Sequence, residues 1–354
     1  MATERQCNRS VERIQQLSES TLDSNSLRRE VVEELRHAIG FDRWCWPVAD
    51  PETLLPPDAL FEHDYGAGLP RYLQLEYSDD QYAAKHLVAK ARDPAASLFS
   101  STAGDLSRSQ RWDEVLRPAG IGDMAVMACR DQLGTWGWME AYRDRGEGPF
   151  DARDLDLLRR VSRSLGSSLR VRAMQPVETA SERRPPGVIV LDSNLNAVSW
   201  TTGAKSWIHA LPAGETYEAR GMLPALIYPA AAVAKARPSS PARVLTQVSD
   251  GDWLAVEVAL LQGAHDGGLV VTMRAATADE TFGLLCRAYG LTPRERQLVA
   301  LILEGRDTKS ISVGLNISRH TVQEHVTSVF EKTGVRSRRQ LMALLAHSTV
   351  GASA

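Results

Sequence analysis

Near the C-terminus, from Arg319 to Thr333, the apolar side chains Val322, Val326, Val329 and Phe330 return every three or four residues, with Thr333 closing the stripe. That period predicts a helix with one buried side. Ser318 stands where its hydroxyl can accept from an orphan N–H of the first turn, and Gly334 stands where a left-handed residue would end the helix. The opposite face carries His320, Glu324, Thr327, Ser328 and Glu331, with Gln323 at its shoulder. Just upstream, in "LTPRERQLVALILEGRDTKSISVGLNIS", Thr292, Pro293 and Glu295 form a capping box with proline in the first helical position. Leu298, Leu301 and Ile302 supply that helix's apolar side, and Gly305 closes it. Asp307 caps a shorter helix through Leu315 that buries Ile311 and Leu315, and "NIS" is the turn before the next. Two short helices joined by a tight turn, the second with a polar outer face, predict a helix-turn-helix. A fourth helix follows in "SRRQLMALLAH".

The longer front part mixes both periods. "MAVMACR" and "GTWGWMEAYR" read as strands around the turn "DQLG". They lead into "FDARDLDLLRRVSRSLGSSLRVRAM", a helix capped by Asp151 with Leu155, Leu158, Leu165 and Leu169 on one face. "QPVETASERRPPG" is proline-rich, charged and aperiodic, so it reads as a linker. Beyond it, "GVIVLD" and "NAVSW" pair around "SNLN", "TGAKSWIHAL" is helical, and "DWLAVEVALL" with "GGLVVTMRA" forms a second hairpin around "GAHDGG". The helical connector "DETFGLLCRAYG" carries Phe282, Leu285 and Cys286 on one side. These breaks divide the chain into 1–175, a linker 176–186, a second unit 187–276, a connector 277–290 and the terminal module 291–348.

Composition narrows the class. The 354 residues are 43% hydrophobic and 24% charged, as in an ordinary globular protein. No apolar run approaches the roughly 20 residues that span a bilayer, and the start has no signal-peptide core, so neither a membrane nor export is expected. Cys7, Cys45, Cys129 and Cys286 form no C-x-x-C pair, which fits a reducing cytoplasm without a zinc site. The formal charge is −3, yet residues 290–345 carry nine Lys/Arg against five acids, or +4, leaving −7 elsewhere. A small basic module on an acidic body is the charge pattern of a protein that meets a polyanion at one end.

The terminal module resembles the LuxR-type helix-turn-helix regulators of bacteria. The match runs through Leu291-Thr292-Pro293-Arg294-Glu295-Arg296, Glu304-Gly305, Lys309 with Ile311, Ile317-Ser318, Thr321-Val322, His325-Val326 and Gly334-Val335-Arg336-Ser337-Arg338. "GTWGWMEAYRDRGEGPFDARDLDLLRRVSRSL" resembles the closing strands and helix of a GAF domain, and Pro186 to about Ala276 is similar to a PAS domain. The order of the three resembles one-component regulators common in actinobacteria. The resemblance implies a multidomain chain: two α+β sensory-type domains, GAF-like then PAS-like, followed by an all-α four-helix helix-turn-helix domain. Its implied activity is sequence-specific regulation of transcription.

Groove chemistry selects the contacts. Gln323 can bridge adenine N6 and N7, Thr327 can approach a base edge or thymine methyl, Glu324 can accept from cytosine N4, and His320 shares their face. LuxR-type proteins often carry lysine in this region, so the helix centre here contributes less to phosphate binding. Lys309, Arg319, Arg336 and Arg338 are the expected phosphate contacts. Lys332 and Arg339 are read as solvated, and His325 as packed near the apolar stripe. In the front half, Trp44, Cys45, Trp46, Trp136 and Trp138 could line a ligand pocket or form plain core. Cys45 is a redox sensor or an inert buried thiol.

"YSDD" at Tyr77 lacks the frame of a phosphoacceptor receiver domain, "TGAKS" at Thr202 lacks phosphate-loop spacing, and His37, His63 and His86 are too dispersed for a metal site. The expected partners are double-stranded DNA, a second copy of the chain paired through the 151–174 helix, a small-molecule effector and RNA polymerase, with no cofactor and no metal. A protein-interaction scaffold in the front half is the alternative. An enzyme using the GAF-like pocket is a third reading, although no nucleophile, base and orienter can be assembled from spacing.

Overall fold

The computed structural model describes residues 4–62, 68–77, 81–173, 184–212, 214–219, 221–263 and 267–347. Most of the expected linker, Ser78–Asp80 of "YSDD", His63 and the centre of "GAHDGG" lie outside these residues. The first unit opens with α1 (Glu4–Ser18) and α2 (Ser24–Ile39), then β1 (Arg43–Pro47), β2 (Ala59–Phe61), α3 (Leu69–Tyr77), α4 (Lys85–Val88), β3 (Ala95–Ser97) and α5 (Leu98–Ser101). The hairpin β4 (Ile121–Asp131) and β5 (Gly134–Asp144) and the helix α6 (Ala152–Arg172) complete it. Its antiparallel sheet runs β2-β1-β5-β4-β3.

The second unit holds β6 (Gly187–Leu191), β7 (Ala197–Trp200), α7 (Thr202–Ala210), α8 (Gly214–Ala219), α9 (Ile227–Ala236), β8 (Ala242–Gln247), β9 (Trp253–Leu260) and β10 (Leu269–Ala275), in the order β7-β6-β10-β9-β8. The chain then turns all-helical: α10 (Ala278–Ala288), α11 (Pro293–Leu303), α12 (Thr308–Leu315), α13 (Arg319–Thr333) and α14 (Arg338–His347). Two α+β units, each built on a five-stranded antiparallel sheet, followed by a helical helix-turn-helix domain is therefore the observed fold class. No helix among the described residues is long and apolar enough to cross a membrane.

The first sheet is covered on both faces. On one, Ile14 of α1, Leu27, Val31 and Leu35 of α2, and Leu158, Val161 and Leu165 of α6 pack against Ala125, Met127, Met139 and Ala141. On the other, Met124, Val126, Trp138 and Tyr142 join α3 and a layer of apolar side chains that continues into the second unit through Leu223, Leu226 and Tyr228.

Asp151 caps α6 in a reciprocal box with Asp154, as its position predicts. The apolar face of α6, however, is occupied within the chain by β4, β5 and α1, so it cannot pair with a second copy as expected. Two polar side chains of α6 have structural work here. Ser162 Oγ donates to the Ala128 carbonyl at 2.6 Å, and Arg172 donates to the carbonyls of Ser20 and Leu22 at 2.7 Å, tying α6 to the turn after α1.

Gly166 explains how close α6 lies to β4. A Cβ there would stand 2.5 Å from the Arg130 carbonyl carbon, where no side chain fits. Gly166→Ala is therefore expected to destabilise the protein by roughly 1–3 kcal/mol through overpacking, although alanine is the better helix former. A lower midpoint in chemical denaturation checks this; an unchanged or higher one would mean that α6 can move off the sheet.

Candidate nucleic-acid interface

The four terminal helices close around Leu298, Val299, Ile302, Ile311, Leu315, Val322, Val326, Val329, Leu341 and Leu345. Local chemistry sets each boundary. Thr292 and Glu295 form the capping box of α11 with Pro293 in the first turn, Asp307 accepts from the Ser310 N–H, and Ser318 accepts from the Thr321 N–H at 3.0 Å. Asn316 supplies a left-handed turn between α12 and α13, and Gly334 (φ +71°) ends α13.

Glu295 does more than cap. Its carboxylate also accepts from Ser328 Oγ at 2.7 Å and from Lys332 Nζ at 2.7 Å, pinning α13 to α11. Burial alone would raise its pKa, but the bonds from Lys332, Thr292 and Ser328 prevail and hold it at about 2, against an ordinary 4.5. Ser328, read from the helical wheel as part of the outer face, is thus turned inward. Lys332 is paired rather than merely solvated. The wheel missed both because a carboxylate from another helix binds them.

What remains outward is His320, Gln323, Glu324, Thr327 and Glu331, all exposed. Thr327 Oγ1 donates to the Gln323 carbonyl at 3.0 Å, which leaves the methyl as its outer surface. His320 Nε2 lies 3.5 Å from Glu324 on the next turn. Lys309, Arg319 and Arg336 flank this face and are exposed. The side chains of Lys309 and Arg319 also lie near Asp307, whose pKa is lowered first by its bond to Ser310 and then by these two cations.

Arg338 is different. Its guanidinium donates to Thr308 Oγ1 at 2.9 Å and to the Arg306 carbonyl at 3.3 Å, so it braces the start of α12. Arg294 donates to the Leu315 carbonyl and closes the other end of that helix. His325 is half-buried and Arg339 is exposed.

Of the two readings open for the tryptophans, pocket lining or plain core, their burial fits core. Side chains alternate along β1, so Trp44 and Trp46 enter the layer beneath α2 and α6 while Cys45 and Pro47 face the opposite side. Trp136 joins the same helical layer, because a register shift near Cys129 and Arg130 makes it the extra residue of a bulge. Trp138 faces the other way but is fully buried, its Nε1 donating to the Lys85 carbonyl at 2.9 Å. Of the five, Cys45 lines a cavity.

That cavity, about 80 Å³, lies between the first unit and the 211–226 segment of the second. Its polar wall consists of Tyr72, Lys85, Glu140, Asp58 and Tyr217, none of which was singled out from sequence. Lys85 and Glu140 are 55 residues apart, and no local motif links them. The one available signal was the charge of Glu140 inside the otherwise apolar strand "WGWMEAY". At "TGAKS", Lys205 lies over the Trp200 ring and 3.5 Å from Glu218, an ordinary surface arrangement.

The bacterial regulatory proteins of the luxR family match residues 290–345. A protein named as an HTH-type transcriptional regulator in Mycobacterium tuberculosis is 47% identical over 57 residues, 16% of this chain and 6% of that protein. The spore germination protein GerE of Bacillus subtilis is 38% identical over 55 residues, 16% of this chain and 74% of GerE. The chain thus spans only a small part of the mycobacterial relatives. Among solved structures, the GAF domain of A. aeolicus nlh2 aligns at 10% identity and a TM-score of 0.29, over 48% of this chain and 98% of that one.

The Glu295 brace predicts a pH dependence. Its folded pKa lies below the unfolded value, so its contribution is complete above pH 4.5 and is lost as the pH falls from there towards about 2. Glu295→Gln is expected to lower stability near neutral pH by about 2–3 kcal/mol, with the gap from wild type shrinking towards about pH 3. Denaturant titrations followed by circular dichroism measure both gaps; equal gaps would show that the carboxylate charge is not what holds α13.

Proposed function

Because the chain belongs to the luxR family of bacterial regulatory proteins, we propose that it is a transcriptional regulator that recognises double-stranded DNA in a sequence-specific manner. The observation that carries this is the outer face of α13, an exposed row of short polar side chains set between exposed cations. Inserted into a major groove, Gln323 bridges an adenine, the Thr327 methyl packs on a thymine, and Glu324, released from His320, accepts from a cytosine. Lys309, Arg319 and Arg336 contact phosphates and fix register without reading sequence. Arg338 acts from within, holding α12 in place, so its loss weakens binding through the fold of the module. The 1–175 and 187–276 units, GAF-like and PAS-like, sense a small-molecule effector and pass its presence through 277–290 to the module at 291–348.

Assembly follows from charge. A module of net charge +4 whose recognition helix has few outward cations binds a single half-site weakly. Two copies on symmetric half-sites recover the affinity, so the working form is a homodimer. Its interface lies elsewhere than the apolar face of α6, which the chain covers itself.

Arg336→Ala is expected to weaken binding to all duplexes and to flatten the log–log salt dependence by about one unit. Gln323→Ala is expected to lower discrimination at one base pair by roughly 1–3 kcal/mol and to leave non-specific binding nearly intact. Salt titrations on cognate and scrambled duplexes separate the two, and an unchanged slope for Arg336→Ala would refute this docking. Light scattering is expected to give a dimer at concentrations that saturate DNA; a monomer there would contradict the paired reading.

A further inference from the structure

The cavity between the two α+β units has a wall of unusual chemistry. Glu140 and Cys45 face each other directly across β5 and β1, and alternation along the strands turns both towards the cavity. Glu140 Oε1 accepts from Lys85 Nζ at 2.8 Å and from the Tyr72 hydroxyl at 3.0 Å. Lys85 Nζ also lies 2.5 Å from Glu76 Oε2, and Arg111 Nη1 lies 2.8 Å from Glu76 Oε1. All four charged groups are almost fully buried. Burial would depress the pKa of Lys85, but Glu140 and Glu76 hold it well above its usual value. Two carboxylates therefore face two cations, and Asp58 at the rim is paired with Arg28 at 3.0 Å.

The remainder of the lining is apolar, including Pro47, Pro56 and Leu69 from the first unit and Leu211, Pro212 and Leu226 from the second. Two non-glycine residues held at positive φ, Leu54 (+56°) and Ala83 (+48°), immediately precede the segments that bring Pro56–Asp58 and Lys85 to this wall. Such strain persists only where surrounding structure imposes it, and it clusters at ligand sites.

We propose that this cavity binds a compact, neutral molecule with an apolar body and one hydrogen-bond-donating end, a hydroxyl or an N–H, received by the carboxylate of Glu140. The inference rests on the reading that the front half senses an effector, and supplies the chemistry of that effector. A carboxylate offers about four acceptor sites. Lys85 and Tyr72 occupy two, and the Cys45 thiol, a weak donor, is readily displaced by a stronger one. The wall's charges already balance, so a ligand bearing a net charge would enter unpaired, at a large desolvation cost. A neutral donor avoids that cost and bonds to an ionised acceptor, the stronger kind of hydrogen bond. Since the lining comes from both units, the ligand is gripped by both.

The test uses the full chain and two small probes built on the same aromatic ring, neutral aniline and anionic benzenesulfonate, titrated by calorimetry. The neutral amine is expected to bind saturably at one per chain, at least roughly tenfold more tightly than the sulfonate. Glu140→Gln should weaken it several-fold through loss of the charged acceptor. Should that variant fail to fold, Ala59→Phe decides. Ala59 lies opposite Pro47 in β2 with its side chain on the cavity side, so the larger ring fills the space while the ionic cluster stays intact.

Loss of amine binding in folded Ala59→Phe supports the proposal. Undiminished binding there, equal binding of the two probes, or no saturable binding of the amine would overturn it. DNA binding measured on the same samples separates the readings. Amine binding without any DNA binding would reject the regulator and keep the cavity, whereas DNA binding that the amine leaves unchanged would keep the regulator and reject this molecule class as its effector.

Discussion

Strand β5 must satisfy two different environments at once, because its alternate side chains point to opposite faces of a sheet that is covered on both. Met139 and Ala141 enter the apolar layer beneath the helices, whereas Trp138, Glu140 and Tyr142 face α3 and α4. Glu140 is the consequential one. A carboxylate there has to be paired, which requires Lys85; Lys85 brings Glu76, and Glu76 brings Arg111. One charge on one strand thus fixes the positions of α3, α4 and the turn of helix at Trp112–Leu116. Such a cluster is seldom a net source of stability, since well-packed apolar residues of the same volume often do as well. What it supplies is a unique arrangement, because each member lost leaves another charge unpaired in the interior.

The hairpin that carries Glu140 also holds the DNA-binding module. Its turn packs Leu133 against Gly290, which sits at φ +65°, and Asp131 binds Arg170 at 2.8 Å while Arg170 donates to the Ala288 carbonyl at 2.7 Å. The helix α10 belongs to two cores. Leu285 and Cys286 enter that of the module, and Ala288 enters that of the first unit. Its other end is tied to the second unit, where Glu280 accepts from Arg274 at 2.8 Å and from Arg243 at 3.2 Å. The bond to Arg274 overcomes burial and lowers the Glu280 pKa to about 2. Any change in how the two units sit against each other is therefore felt at both ends of α10. A ligand gripped by both shifts that arrangement only by as much as it prefers one state over the other.

Much of this was legible in the sequence where the cause is local. The ends of α11, α12 and α13 follow from Thr292, Asp307, Ser318 and Gly334, because a cap acts within four residues of the helix end it satisfies. The buried faces of the strands and of α6 follow from period. What escaped was set by partners distant in the chain. A wheel drawn for α13 alone cannot know that Glu295 binds Ser328 and Lys332, and Arg338 looks like any flanking cation until Thr308 and Arg306 are beside it. The tryptophans drew notice as a cluster of aromatic letters, yet alternation along β1 and the bulge at Trp136 send three of them to the side away from the cavity. The same alternation, applied to "WCW", would have marked Cys45 as the residue with a different outlook.

The pairing of Lys332 and the bracing role of Arg338 bear on how selectively the module meets DNA. Each cation spent inside the fold is one fewer to neutralise phosphate, and the sequence-independent part of binding depends steeply on that number. Lys309, Arg319 and Arg336 remain exposed beside α13, while the rest of the chain, at a net −7, repels the backbone. On the proposed docking, random duplex would therefore be held loosely and base contacts would make up a larger share of the binding, so that discrimination improves and residence on a lone half-site suffers. Joining two such modules restores residence without adding non-specific charge to either, because the second contact is made at the high local concentration set by the first. On the proposed reading, a weakly basic recognition helix and a paired working form would be one requirement, and a state of the front half that altered the spacing of two modules would control binding without touching α13.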